Sequence, residues 1–65
     1  MNWYVVIIGI RDYHLAYDRV EIVQQTSAKM AEAQVSENLE RYEEVAAVIN
    51  CGKRKPKIEV NDNAH

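Results

Sequence analysis

From Ser27 to Asn50 the chain runs twenty-four residues with neither glycine nor proline, over a third of its 65 residues. Within that run Ala28, Ala31, Val35, Leu39, Tyr42, Ala46 and Ile49 recur at steps of three or four. Such spacing sets them on one side of a 3.6-residue helix. The remaining positions are mostly Glu, Lys, Arg, Gln, Ser and Asn, so the other side is wet and acidic. The run is therefore expected to form one long amphipathic helix, which needs a surface to lie against. Only the residues before it and a short piece after it can supply one.

The preceding residues read as that surface. Asn2–Ile10 carries Val5, Val6, Ile7 and Ile8, all β-branched, and is apolar on both faces. A strand of this kind has neighbours on each side. Gly9 interrupts it near its end, which points to a bulge or a close backbone approach. Arg11–Asp18 is polar and aromatic and reads as a connection. Arg19–Gln25 alternates Val20 and Ile22 against Glu21 and Val23, a second strand expected antiparallel to the first because the connection is short.

Thr26 or Ser27 suits the helix N-cap. Gly52, the cations after it and Pro56 suit its end. Lys57–Val60 reads as a last short strand, and Asn61–His65 as a polar tail. The expectation is one α+β domain over residues 1–60, a small antiparallel ββαβ sheet packed on one long helix. A second parse breaks the helix at Asn38–Arg41 and makes Tyr42–Asn50 a strand built on Val45, Val48 and Ile49, giving ββαββ. Alanines 46 and 47 argue against it, and so does the favourable i,i+4 pair of Glu37 and Arg41.

One helix cannot cover both faces of such a sheet. Trp3, Val5 and Ile7 fall on one side of the first strand, and Tyr4, Val6, Ile8 and Ile10 on the other. A homodimer formed through the uncovered face or an edge strand is expected. A 65-residue domain also buries only about 60% of the surface its unfolded chain exposes, so shared surface would help it.

Composition narrows the function by exclusion. An apolar fraction of 48% with 28% charged residues is globular, not disordered. Cys51 is the only cysteine, which precludes an internal disulfide and fits a reducing cytoplasm. The apolar run at Trp3–Ile10 is too short to span a membrane. No Cys-x-x-Cys or His-x-x-x-His spacing occurs, glycine-rich phosphate loops are missing, and no cofactor or metal is expected. His14 could act as a general base with Asp12 or Asp18, yet no nucleophile is placed to work with it. The expectation is no enzyme.

Three segments remain as candidate binding surfaces. Arg11-Asp12-Tyr13-His14-Leu15-Ala16-Tyr17-Asp18-Arg19 reads almost alike in both directions. Closed as a loop, it would pair Arg11 with Asp18 and Asp12 with Arg19. Tyrosine and arginine dominate binding hot spots, and loops on a rigid sheet often carry recognition. The acidic helical face, with Glu40, Glu43 and Glu44 at its core, could dock a basic partner. Lys53, Arg54, Lys55 and Lys57 form a basic segment that could meet phosphate; the overall charge of −2 weighs against that.

The leading expectation is a small, non-catalytic regulatory or inhibitory protein that binds a larger host protein or complex. By analogy of size and charge it would be a phage or mobile-element inhibitor of a host defence system, anti-CRISPR-like. Its contacts would be Arg11, Asp12, Tyr13, His14, Tyr17, Asp18, Arg19, Glu40, Glu43 and Glu44. The alternative is a nucleic-acid-associated protein using residues 53–57.

Overall fold

The computed structural model describes residues 1–57, and the backbone alone of His14 and Leu15. Strand β1 (Asn2–Ile10) is followed by β2 (Tyr13–Gln25), helix α1 (Ala28–Ser36) and β3 (Glu43–Gly52). The sheet order is β2-β1-β3, with both pairings antiparallel. The doubly apolar strand takes the centre, where it has a neighbour on each side. Strands β2 and β3 thus run parallel to each other, and α1 carries the chain from one edge to the other. Among the described residues no helix is long and apolar enough to cross a membrane.

The expected long helix is not there. Helix α1 starts where anticipated: Ser27 is extended (φ −156°) and its hydroxyl accepts a hydrogen bond from the Met30 N–H at 3.1 Å. It then ends after nine residues, with Glu37 as C-cap. Ala31 and Val35, one turn apart, are its buried positions, and they suffice to cover the middle of the sheet. The rest of the glycine-free run turns through residues 37–42 and returns as β3. The central strand explains why. A hairpin of two strands is marginal in water, and β1 needs a second edge. Pairing with it outweighs the modest helical preference of Ala46 and Ala47.

A bulge explains why this strand looked helical. The β1–β3 register passes from Ile7↔Ala47 to Ile8↔Val45, so Ala46 is an extra residue. Val45 and Val48, three apart, consequently pack against the same core. A second shift, from Trp3↔Gly52 to Tyr4↔Asn50, leaves Cys51 extra at the other end. The Gly52 N–H donates to Asn50 Oδ1 at 2.8 Å, and Gly52 itself takes φ +78°, so the chain turns away from the sheet there. Lys57 is not in a strand; Ile58–Val60, expected as strand, and the tail after it lie outside the described residues.

Strand β2 begins six residues earlier than anticipated. The β1–β2 connection is the two-residue turn Arg11–Asp12, with Asp12 at φ 75°, a conformation Asp tolerates better than most side chains. The register then runs Ile10↔Tyr13, Gly9↔Tyr17, Ile8↔Arg19, so residues 14–16 and Asp18 are accommodated as bulges. Gly9 sits where they crowd in. A Cβ there would lie 3.2 Å from the Ala16 carbonyl oxygen and 3.4 Å from Ala46 Cβ.

The core lies between α1 and one face of the sheet. Tyr4, Val6 and Ile8 of β1 meet Val23, Ala31 and Val35, with Leu39, Val45 and Val48 at the margin. The opposite face carries Trp3, Val5 and Ile7, flanked by Val20 and Ile22 on β2 and by Ala47 and Ile49 on β3; Val5 is buried among these neighbours, and Ala47 and Ile49 are the exposed members. Among the described residues no element lies over it.

Candidate functional site

Three chain segments converge where β1 ends. Antiparallel pairing brings the start of β2 and the start of β3 to the same end of the sheet as Ile10. All ten residues expected to contact a partner fall within this region or its flanking turns. They do not meet as the palindrome suggested. Arg11 turns toward β3 and not toward Asp18: its Nε donates to the Arg41 carbonyl and its Nη2 to the Glu43 carbonyl, each at 3.2 Å. Its backbone N–H donates to the Tyr42 carbonyl at 2.7 Å. Arg19 turns toward Glu43 and Glu21, not Asp12.

The Arg19–Glu43 pair is the anchor of this end. Arg19 Nε donates to Glu43 Oε2 at 3.0 Å and Nη2 to Oε1 at 3.1 Å, a fork on a carboxylate. Nη1 reaches Glu21, and Nη2 also lies 3.4 Å from the Asn38 carbonyl. Glu43 Oε1 accepts the Glu40 N–H at 2.8 Å, and the Glu40 carbonyl accepts the Glu43 N–H at 3.0 Å. One buried carboxylate thereby ties β2, β3 and the 37–42 turn together. Glu43 was expected on a wet helical face. It is 1% exposed, so its role is internal, and it offers no surface to a partner.

The charges tune each other. Hydrogen bonds from Arg19, then from Asp18 and the Glu40 backbone, hold the Glu43 carboxyl down to about 2, despite its burial. Asp18 is pushed above its ordinary 3.8, first by its hydrogen bond with Glu43, then by desolvation and the Glu43 charge. Arg19 is held more firmly protonated, by Glu43 first and Glu21 next. The charge of Asp18 leads in raising the Tyr42 hydroxyl.

The outer layer over this anchor is aromatic. Tyr13 is 67% exposed, Tyr17 72% and Tyr42 54%. Arg11, Asp12, Asp18, Glu40 and Arg41 are exposed among them, and Glu44 is half-buried on β3. Tyr42 escaped the sequence reading because helical spacing assigned it to the core; once residues 43–52 become a strand, it sits in the turn before it. Tyr17 faces the open side of the sheet, where it lines a depression with Val5, Ile7 and Val20. The His14 side chain lies outside what the structure describes.

The basic segment occupies the opposite end of the sheet, past Gly52. Lys53, Arg54, Lys55 and Lys57 are exposed, and Lys55 Nζ stands 5.4 Å from the Trp3 ring centroid, a cation–π contact. Among the described residues no group of three His, Cys, Asp or Glu side chains is placed to hold a metal ion. No family model matches the chain, and no curated protein or solved structure is similar to it.

Proposed function

We propose that the chain is a small, non-catalytic binding protein that docks a larger protein through the tyrosine-bearing end of its sheet, as an inhibitor or regulator would. One observation carries the reading: Tyr13, at the start of β2, and Tyr42 stand exposed beside the turn residues Arg11 and Arg41, at an end of the sheet that the pair of half-exposed Arg19 with buried Glu43 ties together. Tyrosine offers a large contact area for little conformational entropy, and a fixed backbone lowers the ordering cost of binding. Asp12, Asp18 and Glu40 give the patch an acidic edge, which suits a basic partner surface and would speed encounter. Glu43 and Arg19 support the surface from below and make no contact themselves. An inhibitor of host defence is one protein of this class.

Capture from host-cell lysate tests the proposal, with nuclease treatment and with a Tyr13→Ala/Tyr42→Ala/Glu40→Lys variant as control. These three side chains project outward, so the variant should keep its circular dichroism and melting profile. The expected result is a stoichiometric protein partner that survives nuclease and is lost with the variant. Recovery of nucleic acid alone, released by salt, would move the function to Lys53, Arg54, Lys55 and Lys57 at the other end. Partner retention by the variant would also refute the proposal.

A further inference from the structure

The open face of the sheet has a charge pattern and relief that fit one occupant. Its middle is uncharged: Trp3, Val5, Ile7, Val20, Ile22, Ala47 and Ile49. Among the described residues, Glu44 of β3, beside Gly9, and Lys55, over Trp3 of β1, are charged groups at opposite ends of this face. The relief is uneven as well. Trp3 stands at the Lys55 end, whereas a depression of about 280 Å³ lies toward the other end between Val5, Ile7, Tyr17 and Val20.

We infer that this face is the contact surface for a second copy of the chain, laid sheet on sheet with strands reversed. A two-fold axis between the sheets and perpendicular to the strands sets β1 over β1 and β3 over β3 with their ends exchanged. Centred on Val6, it brings Trp3 of one copy over the Gly9 end of the other, next to the depression. It also sets Ala47 against Ile49, small against large. Lys55 of one copy then meets Glu44 of its partner, twice over by symmetry. An axis along the strands would place Glu44 opposite Tyr17 and turn the two Lys55–Trp3 ends toward each other, cation facing cation. The charge pattern therefore selects the reversed arrangement.

Area sets the strength. A nine-residue strand with two neighbours spans roughly 30 Å by 14 Å at ordinary strand spacings, which is small for a stable interface. The association expected is reversible and micromolar. This inference is independent of the partner-binding proposal, since Tyr13 and Tyr42 lie outside the buried face.

Sedimentation equilibrium of the full chain across a wide concentration range is the test, read beside the emission of Trp3, its single tryptophan. The wild type should pass from monomer to dimer with a blue shift of Trp3 in step. Ile49 is 47% exposed, so Ile49→Glu should fold and remain monomeric. Should that variant not fold, Glu44→Lys still decides. It should weaken dimerisation at least about five-fold, since both symmetry-related rim pairs are lost and replaced by like charges, and Glu44→Lys/Lys55→Glu should recover it. A wild type that is monomeric throughout, or a dimer indifferent to both Ile49→Glu and Glu44→Lys, would overturn the inference. So would a double variant no tighter than the single one, because it would deny the reversed arrangement.

Discussion

The two faces of this sheet differ in the opposite sense to the usual one. The face under α1 holds charge: Arg19, Glu21 and Glu43 share it with Tyr4, Val6 and Ile8. The face over which no described element lies is apolar from Trp3 to Ile49. An antiparallel sheet with one solvated side ordinarily shows polar residues there. Helix α1 is nine residues long and shields the middle of its face, so the far end is closed by a satisfied ion pair instead of more hydrocarbon. Among the described residues the other face has no such device, and its apolar composition is what the proposed sheet-on-sheet association rests on.

Removing the charge from the covered face should have the largest effect. Glu43→Ala removes the buried carboxylate, leaves the half-exposed Arg19 guanidinium with Glu21 alone and frees the 37–42 turn. Breaking a buried pair from one side is far costlier than replacing both partners with apolar groups. Glu43→Ala should therefore abolish a cooperative thermal transition, and Arg19→Met/Glu43→Leu should restore much of it. If the single variant melts like the wild type, the ion pair is not what closes this end.

Val35→Ala comes next. It opens a cavity against the buried Tyr4, Val6 and Ile8 cluster and should cost about 2 kcal/mol in urea denaturation. The loss should be the same at low and high protein concentration. Ile49→Ala on the open face should behave differently: under the proposed association that side chain is covered by the second copy, so the loss should grow as concentration rises. Equal concentration dependence for the two would erase the distinction between the faces. Ser27→Ala, which removes the α1 cap, should cost about 1 kcal/mol and be indifferent to concentration.

Much of this fold was legible, and what was not has a physical cause. The central strand, the antiparallel partner, the two-sided alternation of β1 and the Ser27 cap follow from residues close in sequence. The helix end does not, because it is decided by a need of β1 that only residues 43–52 can meet. The bulge at Ala46 then disguised a strand period of two as a step of three. The broken parse, with its loop at 38–41 and strand over 42–50, comes close to the observed course. At the candidate site, sequence grouped Arg11 through Arg19 with Glu40, Glu43 and Glu44, and the fold does gather them. It could not show which are anchors and which are surface. Arg19 and Glu43 are twenty-four positions apart, and no local pattern marks a glutamate as buried.

Asp18 offers the smallest and sharpest probe of the same cluster, since its ionisation works against the fold. Its folded pKa lies above its ordinary 3.8, so charging it costs stability as pH rises through the folded value. Glu43 has the opposite sign: held at about 2, it contributes stability that is full above its ordinary 4.5 and fades as pH falls toward 2. Asp18→Asn removes the first term and keeps the second, and its amide can donate to Glu43 where a carboxylate cannot. The variant should thus be slightly more stable than the wild type at neutral pH, and the advantage should vanish once the wild-type Asp18 is protonated. Acid unfolding driven by Glu43 should persist in both proteins. Chemical denaturation of the pair at neutral pH and near pH 3 reads the difference directly. A variant less stable at neutral pH would mean that Asp18 is held there by attraction to Arg19 more than it is opposed by Glu43.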